Sequence, residues 1–163
     1  MHRGVCGAER DVALKLLRRA RDAQIRQRNL VTATTADIRI AELTAEAGEV
    51  EGAIETGRGL VDRLFDNGEM FLRGAATAAL MESLLCRGLD TDMQEAAAVI
   101  ERLSAVPPNP GFVLNEIPLL RMRALLAQTL GDETAYRDYR DRYRVMASRV
   151  GYEGHMKWAE AMP

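Results

Sequence analysis

The sequence predicts an all-α chain of stacked antiparallel helical hairpins, and three observations carry that reading. The first is a phrase written three times: an apolar helical stretch, a glycine, then a second apolar helical stretch within a few residues. The copies are 38–64 turning at Gly48, 75–103 turning at Gly88, and 118–150 turning at Gly131. Those glycines stand 40 and 43 residues apart, inside the period of about 20–50 residues that marks a repeat protein. One hairpin cannot bury its apolar stripe alone, so its neighbours become its core. The second observation is composition: alanine and leucine, strong helix formers, are plentiful, and aromatics are only 5%. The third is spacing: apolar residues recur every three or four positions, and few stretches look like β-branched strands.

Length and charge narrow the class further. The 163 residues read as a disordered N-terminus, 1–8, followed by a single helical-repeat domain, 9–163. A net charge of −2 and a pI near 5.8 lack the basic footprint of a nucleic-acid binder, so no nucleic-acid partner is expected. The charge is uneven: residues 1–30 hold eight Arg or Lys against three acids, and residues 31–100 hold five against thirteen. The basic first helix therefore faces either its own acidic middle, solvent, or an anionic partner. Of 22 basic residues only Lys15 and Lys157 are lysine. Cys6 and Cys86 fall in no metal or redox spacing, which fits a reduced, intracellular protein. There is no apolar signal segment at the start and no run near the ~18 residues of a membrane span. The expectation is a cytoplasmic protein without a membrane partner.

The first helix is placed at about Glu9 to Arg28, with Ala13, Leu16, Leu17, Ala20 and Ala23 on one face. Asn29 stops it, and the next helix covers about Thr35 to Ala47, capped by Thr34 or Thr35, or starts as early as Leu30. Ala36, Ile40, Leu43 and Ala47 of this helix point inward. Gly48 ends it in the left-handed conformation of a helix C-cap. The third helix, Val50 to about Asp66, has the cleanest period: Val50, Ala53, Ile54, Gly57, Leu60, Val61 and Leu64 form one stripe. Gly57 on that stripe permits close backbone approach. The fourth helix runs from about Met70 to Arg87 around Ala75, Ala76, Ala79, Leu80, Ser83 and Leu84. Thr91 with Gln94 forms a capping box for the fifth, which reaches about Ala105.

Residues 106–111, Val-Pro-Pro-Asn-Pro-Gly, interrupt regular structure. The sixth helix starts either near Phe112, with a kink at Pro118, or at Pro118 itself, and ends at Gly131. The seventh carries Tyr136, Tyr139, Tyr143, Met146 and Val150, and a short eighth spans about Glu153 to Ala161.

Chemistry has little to work with. The two histidines, His2 and His155, stand far apart in sequence, and no Glu-x-x-His pair, zinc cluster, P-loop or nucleophile elbow occurs. No catalytic residue, metal or cofactor is expected, and His155 reads as a hydrogen-bonded structural residue at a helix start. One candidate surface stands out. Tyr136, Tyr139 and Tyr143 run beside Arg137, Arg140 and Arg144 at the same helical spacing, and tyrosine and arginine are favoured in binding hot spots. The stripe is either a partner-binding face or a core edge whose arginines pair with Asp138 and Asp141.

Ala41, Gly48, Val50 and Ala53 match the spacing of the tetratricopeptide repeat, whose second helix follows a glycine turn. Ala124 and Gly131 match the first half of a unit, but Ala135 arrives one residue early, and Leu89–Met93 lengthens another turn. The chain thus resembles a degenerate repeat of that type. From Leu43 onward, three phrases resemble the C-terminal region of large actinobacterial, chiefly mycobacterial, signalling proteins: 66–78 (DNGEMFLRGAATA), 110–121 (PGFVLNEIPLLR) and 151–162 (GYEGHMKWAEAM). Those proteins join a class III adenylate/guanylate cyclase domain, an AAA-type ATPase domain and a helical tail, sometimes with a LuxR-type helix-turn-helix.

The resemblance implies a non-enzymatic interaction or effector-sensing tail whose partners are the upstream ATPase or cyclase domains, or a peptide. The chain has no P-loop, cyclase aspartates or helix-turn-helix, so no functional residue carries over. Two alternatives stay open at this point. One is a helical regulator binding a small molecule in an apolar pocket around Phe112, Trp158 and the tyrosines. The other is a self-associating scaffold, a homodimer, suggested by the end at 156–162.

Overall fold

The computed structural model of the chain describes residues 7–106 and 113–163, and among them it contains eight helices and no strand. They are α1 (Gly7–Arg26), α2 (Leu30–Glu46), α3 (Val50–Asp66), α4 (Arg73–Arg87), α5 (Asp90–Ser104), α6 (Val113–Leu130), α7 (Glu133–Val150) and α8 (Glu153–Ala161). They fall into two compact units, residues 1–87 and 88–163. Inside each unit every helix packs on the next in the chain, as a stack of hairpins requires, and in the first unit α2 also packs on α4. The expected breaks at Pro107, Pro108 and Pro110 lie outside the described residues.

Five glycines at helix ends adopt positive φ: Gly48 at 89°, Gly68 at 68°, Gly88 at 75°, Gly131 at 74° and Gly151 at 73°. A side chain there would strain against its own carbonyl, which is why the turns are written with glycine. The α1–α2 turn breaks that rule, because Arg28 takes the same conformation at φ 58°. Asn29 then caps α2, its side chain accepting from the Thr32 amide at 3.3 Å. The expected caps Thr34 and Thr35 sit inside the helix instead, and Thr35 bonds back to the Val31 carbonyl.

α1 turns part of the expected face inward, at Ala13 and Leu17, but is rotated so that Leu14 and not Leu16 is buried. Leu14 is buried with Ile40 and Leu43, with Ala13 and Leu17 packed against them, while Leu16 is 59% exposed. Two apolar stripes run along α1, and packing on α2 selects one of them. α2 contacts α1, α3 and α4, so it is buried on more than one face, at Ala33, Ile38, Ile40, Ala41 and Leu43; Ala47 lies exposed past its end. The α3 stripe is buried from Ala53 to Leu64 as its period predicts. α4 starts at Arg73, later than Met70, because the Glu69 carboxylate first accepts the amides of Phe71 and Leu72. Ala75, placed on its inner face, is exposed.

In the second unit, α5 is capped two residues earlier than Thr91 and Gln94 suggest. Asp92, almost fully buried, accepts the Leu89 amide at 3.0 Å. α6 includes Pro118 well inside the helix, where the missing N–H removes one backbone bond; the alternative of a start at Pro118 is overturned. The unit's core joins Ile117, Leu120, Ala124 and Ala127 of α6 to Tyr136, Tyr143 and Ala147 of α7, and to Ala159 and Met162.

Candidate functional site

The Tyr–Arg stripe is built by α7. Asp132 opens that helix by accepting the Ala135 amide at 3.0 Å, and Gly151 closes it. Helical spacing then sets Tyr136 and Tyr143 one above the other on the buried side, with Tyr139 at the edge. The structure brings four of the six residues onto a single object, which is the chain's own α8. Tyr136 donates its hydroxyl to the Pro163 carbonyl at 2.7 Å, and Arg140 donates to the same oxygen at 2.8 Å. Arg144 donates to the Ala159 and Met162 carbonyls at 3.1 and 2.6 Å. The Ala159 carbonyl lies in the last turn of α8, where no backbone partner remains and the dipole is negative, and the Met162 and Pro163 oxygens follow it directly, so guanidinium groups suit this end.

Tyr143 holds the other end of α8. It is 0% exposed, and its hydroxyl lies 2.8 Å from His155 Nδ1 in a hydrogen bond. His155 is edge-on to both Tyr143 and Trp158, with ring centroids 5.7 and 5.2 Å apart. Arg121 of α6 stacks over the Trp158 ring at 4.9 Å. Burial, and then the positive charge of Arg121, hold the His155 ring below its usual value of 6.5.

The remaining two residues of the stripe face elsewhere. Arg137 is exposed and pairs with Glu133 one turn away. Tyr139 is half-buried between the guanidinium groups of Arg123 and Arg142. It lines a groove of about 210 Å³ with Ile100, Glu101, Leu126 and Leu130. Trp158 is 45% exposed, and α8 fills the space over Tyr136 and Tyr143 that a small molecule would need; Phe112 lies outside the described residues. A groove of about 440 Å³ in this unit is edged by Asp138, Asp141, Arg142 and Arg149.

A second surface, in the first unit, follows from the earlier of the two starts open for α2, at Leu30. It is a trough of about 560 Å³ between the α1–α2 turn and the α3–α4 turn. Ala33, Leu64 and Leu72 form its buried part, and Ile25, Leu30 and Val31 stand exposed around its mouth, Leu30 at 65%. Asp37, bonded to Arg21 at 3.4 Å and Arg63 at 2.9 Å, forms a charged wall. The basic first helix thus meets the acidic middle of its own chain through Arg21 and Asp37. The sequence signal that locates this surface is Asn29, a strong N-cap residue directly before Leu30-Val31.

Among the described residues no group of three or more His, Cys, Asp or Glu side chains converges as metal ligands do. Cys86 is an exposed free thiol. No described helix is long and apolar enough to cross a membrane. The chain matches no protein-family model, no curated protein and no solved structure.

Proposed function

We propose that this chain is a non-enzymatic helical interaction module whose first unit receives one face of an amphipathic helix from a protein partner. The observation that carries this reading is the trough with its aliphatic mouth. Three large side chains, Ile25, Leu30 and Val31, remain in water around an apolar floor, an arrangement that stabilises a complex once i, i+3, i+4 anchors cover it. Charge selects the partner further: from Leu30 to Asp66 the chain carries eight carboxylates against three arginines, so the incoming helix is flanked by lysine or arginine. In the setting implied by the sequence resemblance, that helix belongs to the ATPase or cyclase domain of a signalling regulator, and its capture changes nucleotide turnover there.

Titrating the chain into purified ATPase and cyclase domains of an actinobacterial regulator of that type tests the reading by fluorescence anisotropy. Binding is expected, with at least about a tenfold loss in the Leu30→Glu/Val31→Glu double variant. No binding together with unchanged turnover in both domains would overturn it.

A further inference from the structure

We propose that α8 is a latch over the Tyr–Arg face of α7 that acid opens, with His155 as the residue that takes up the proton. This inference concerns the second unit and stands independently of the trough.

The latch is short and held at both ends. Nine residues are too few to keep a helix in water alone, so α8 exists because it is docked. Its far end is fixed by Tyr136, Arg140 and Arg144, which bind backbone carbonyls at 159, 162 and 163. Its near end is fixed by His155 against the buried Tyr143 hydroxyl. Between the two, Met156, Ala159 and Met162 pack into the core of the unit. Gly151, in the left-handed conformation, separates this segment from α7 and forms the hinge.

The groups that face the imidazole are Arg121 from α6, Tyr143 from α7, and Tyr152 and Trp158 from the segment of α8 itself. The charge among them is a cation. Protonation therefore adds a second positive charge beside Arg121 in a half-buried site. It also puts hydrogens on both ring nitrogens, so the bond to Tyr143 must then run from Nδ1–H to the hydroxyl oxygen, and the cation takes the place of a neutral ring. The closed state holds the ring below 6.5, whereas the released ring returns to about that value. Closing is accordingly favoured above pH 6.5, and that contribution is lost as pH falls through the lower value of the closed state. Opening uncovers Tyr136 and Tyr143 together with Arg140 and Arg144.

The lysine content gives a direct assay. Lys15 and Lys157 are the chain's two lysines, so a lysine-specific endoproteinase reports α8 through Lys157 and α1 through Lys15. Cleavage of the full chain is followed by mass spectrometry from pH 8 to pH 5, each rate divided by that of a free peptide of residues 151–163. The relative rate at Lys157 is expected to rise between pH 7.5 and 5.5, by at most about tenfold, with Lys15 unchanged and the rise abolished in His155→Gln. A flat wild-type profile, or the same slope in His155→Gln, overturns the latch. Should that variant be cut rapidly at every pH, proton NMR of the wild-type chain decides. A His155 ring that titrates at the midpoint of the free peptide overturns the proposal, and a lower midpoint supports it.

Discussion

A β-carbon placed on Gly57 would stand 3.1 Å from the Leu80 side chain and 3.3 Å from the Leu80 Cα. The crossing of α3 and α4 is therefore closed to a distance tighter than most β-carbons accept, against both the side chain and the backbone of Leu80. Gly57→Ala gains about 1 kcal/mol of helix propensity but forces the two helices apart at a fully packed site, which costs about 1–3 kcal/mol. A net loss of stability is expected in urea unfolding. Two residues on, Gly59 is exposed and meets nothing within 4 Å. Gly59→Ala should raise stability by up to about 1 kcal/mol, so the pair gives opposite signs within one helix turn.

Arg28 offers a different backbone test. It holds φ at 58° in the α1–α2 turn, a conformation that costs an L-residue about 1–2 kcal/mol. Glycine removes that strain, yet it loses more chain entropy on folding, by about 0.4–1 kcal/mol. Arg28→Gly is expected to stabilise the protein by roughly 0.5 kcal/mol, measured as a higher urea midpoint at constant slope. A lower midpoint would show that the Arg28 side chain contributes more than its backbone costs.

These two turns explain what could be read from the sequence and what could not. The α3 stripe was legible because its apolar residues follow one narrow period and its ends are marked by Gly48 and Gly68. The start of α2 was legible only as two alternatives, Leu30 or Thr35, since Arg28 occupies a position that glycine announces elsewhere in the chain. α1 carries two apolar stripes, and local spacing cannot say which of Leu14 and Leu16 a neighbouring helix will cover. At the candidate site the adjacency of the tyrosines and arginines follows from helical spacing alone. What covers them does not, because the return of α8 onto α7 is decided by tertiary packing of Met156, Ala159 and Met162. The Asp92 cap was missed for a related reason: Thr91 fits the cap pattern, but the chain enters the helix two residues earlier.

Arg73 shows the same use of arginine in the first unit. It is buried, stacks on the Phe65 ring at 4.5 Å, and donates to the Leu64 and Phe65 carbonyls at the end of α3. Arg73→Met keeps much of the stem packing but removes those donors, which should cost about 1.5–3 kcal/mol in unfolding experiments. Arg73→Lys should recover less than half of that loss, because one ammonium cannot reproduce the flat contact with Phe65 together with the bonds to both carbonyls.

Two arginines of the α7 stripe separate a structural role from a solvated one. Arg144 donates to the Ala159 and Met162 carbonyls, so Arg144→Met leaves the end of α8 without its donors. The cost of about 1 kcal/mol falls on α8 locally. Amide exchange across residues 153–161 should therefore speed up about fivefold, while the exchange of α6 and α7 stays put. Arg137, with its side chain 64% exposed and paired to Glu133 at 2.7 Å, sits on the same helix two turns earlier. Arg137→Met should change neither α8 exchange nor global stability by more than about 0.5 kcal/mol, since exposed ion pairs contribute little. Equal effects of the two substitutions would mean that the Arg144 bonds do not hold α8 in place. The packing of Met156, Ala159 and Met162, with the bonds made by Tyr136, Arg140 and Tyr143, would then carry its attachment without Arg144.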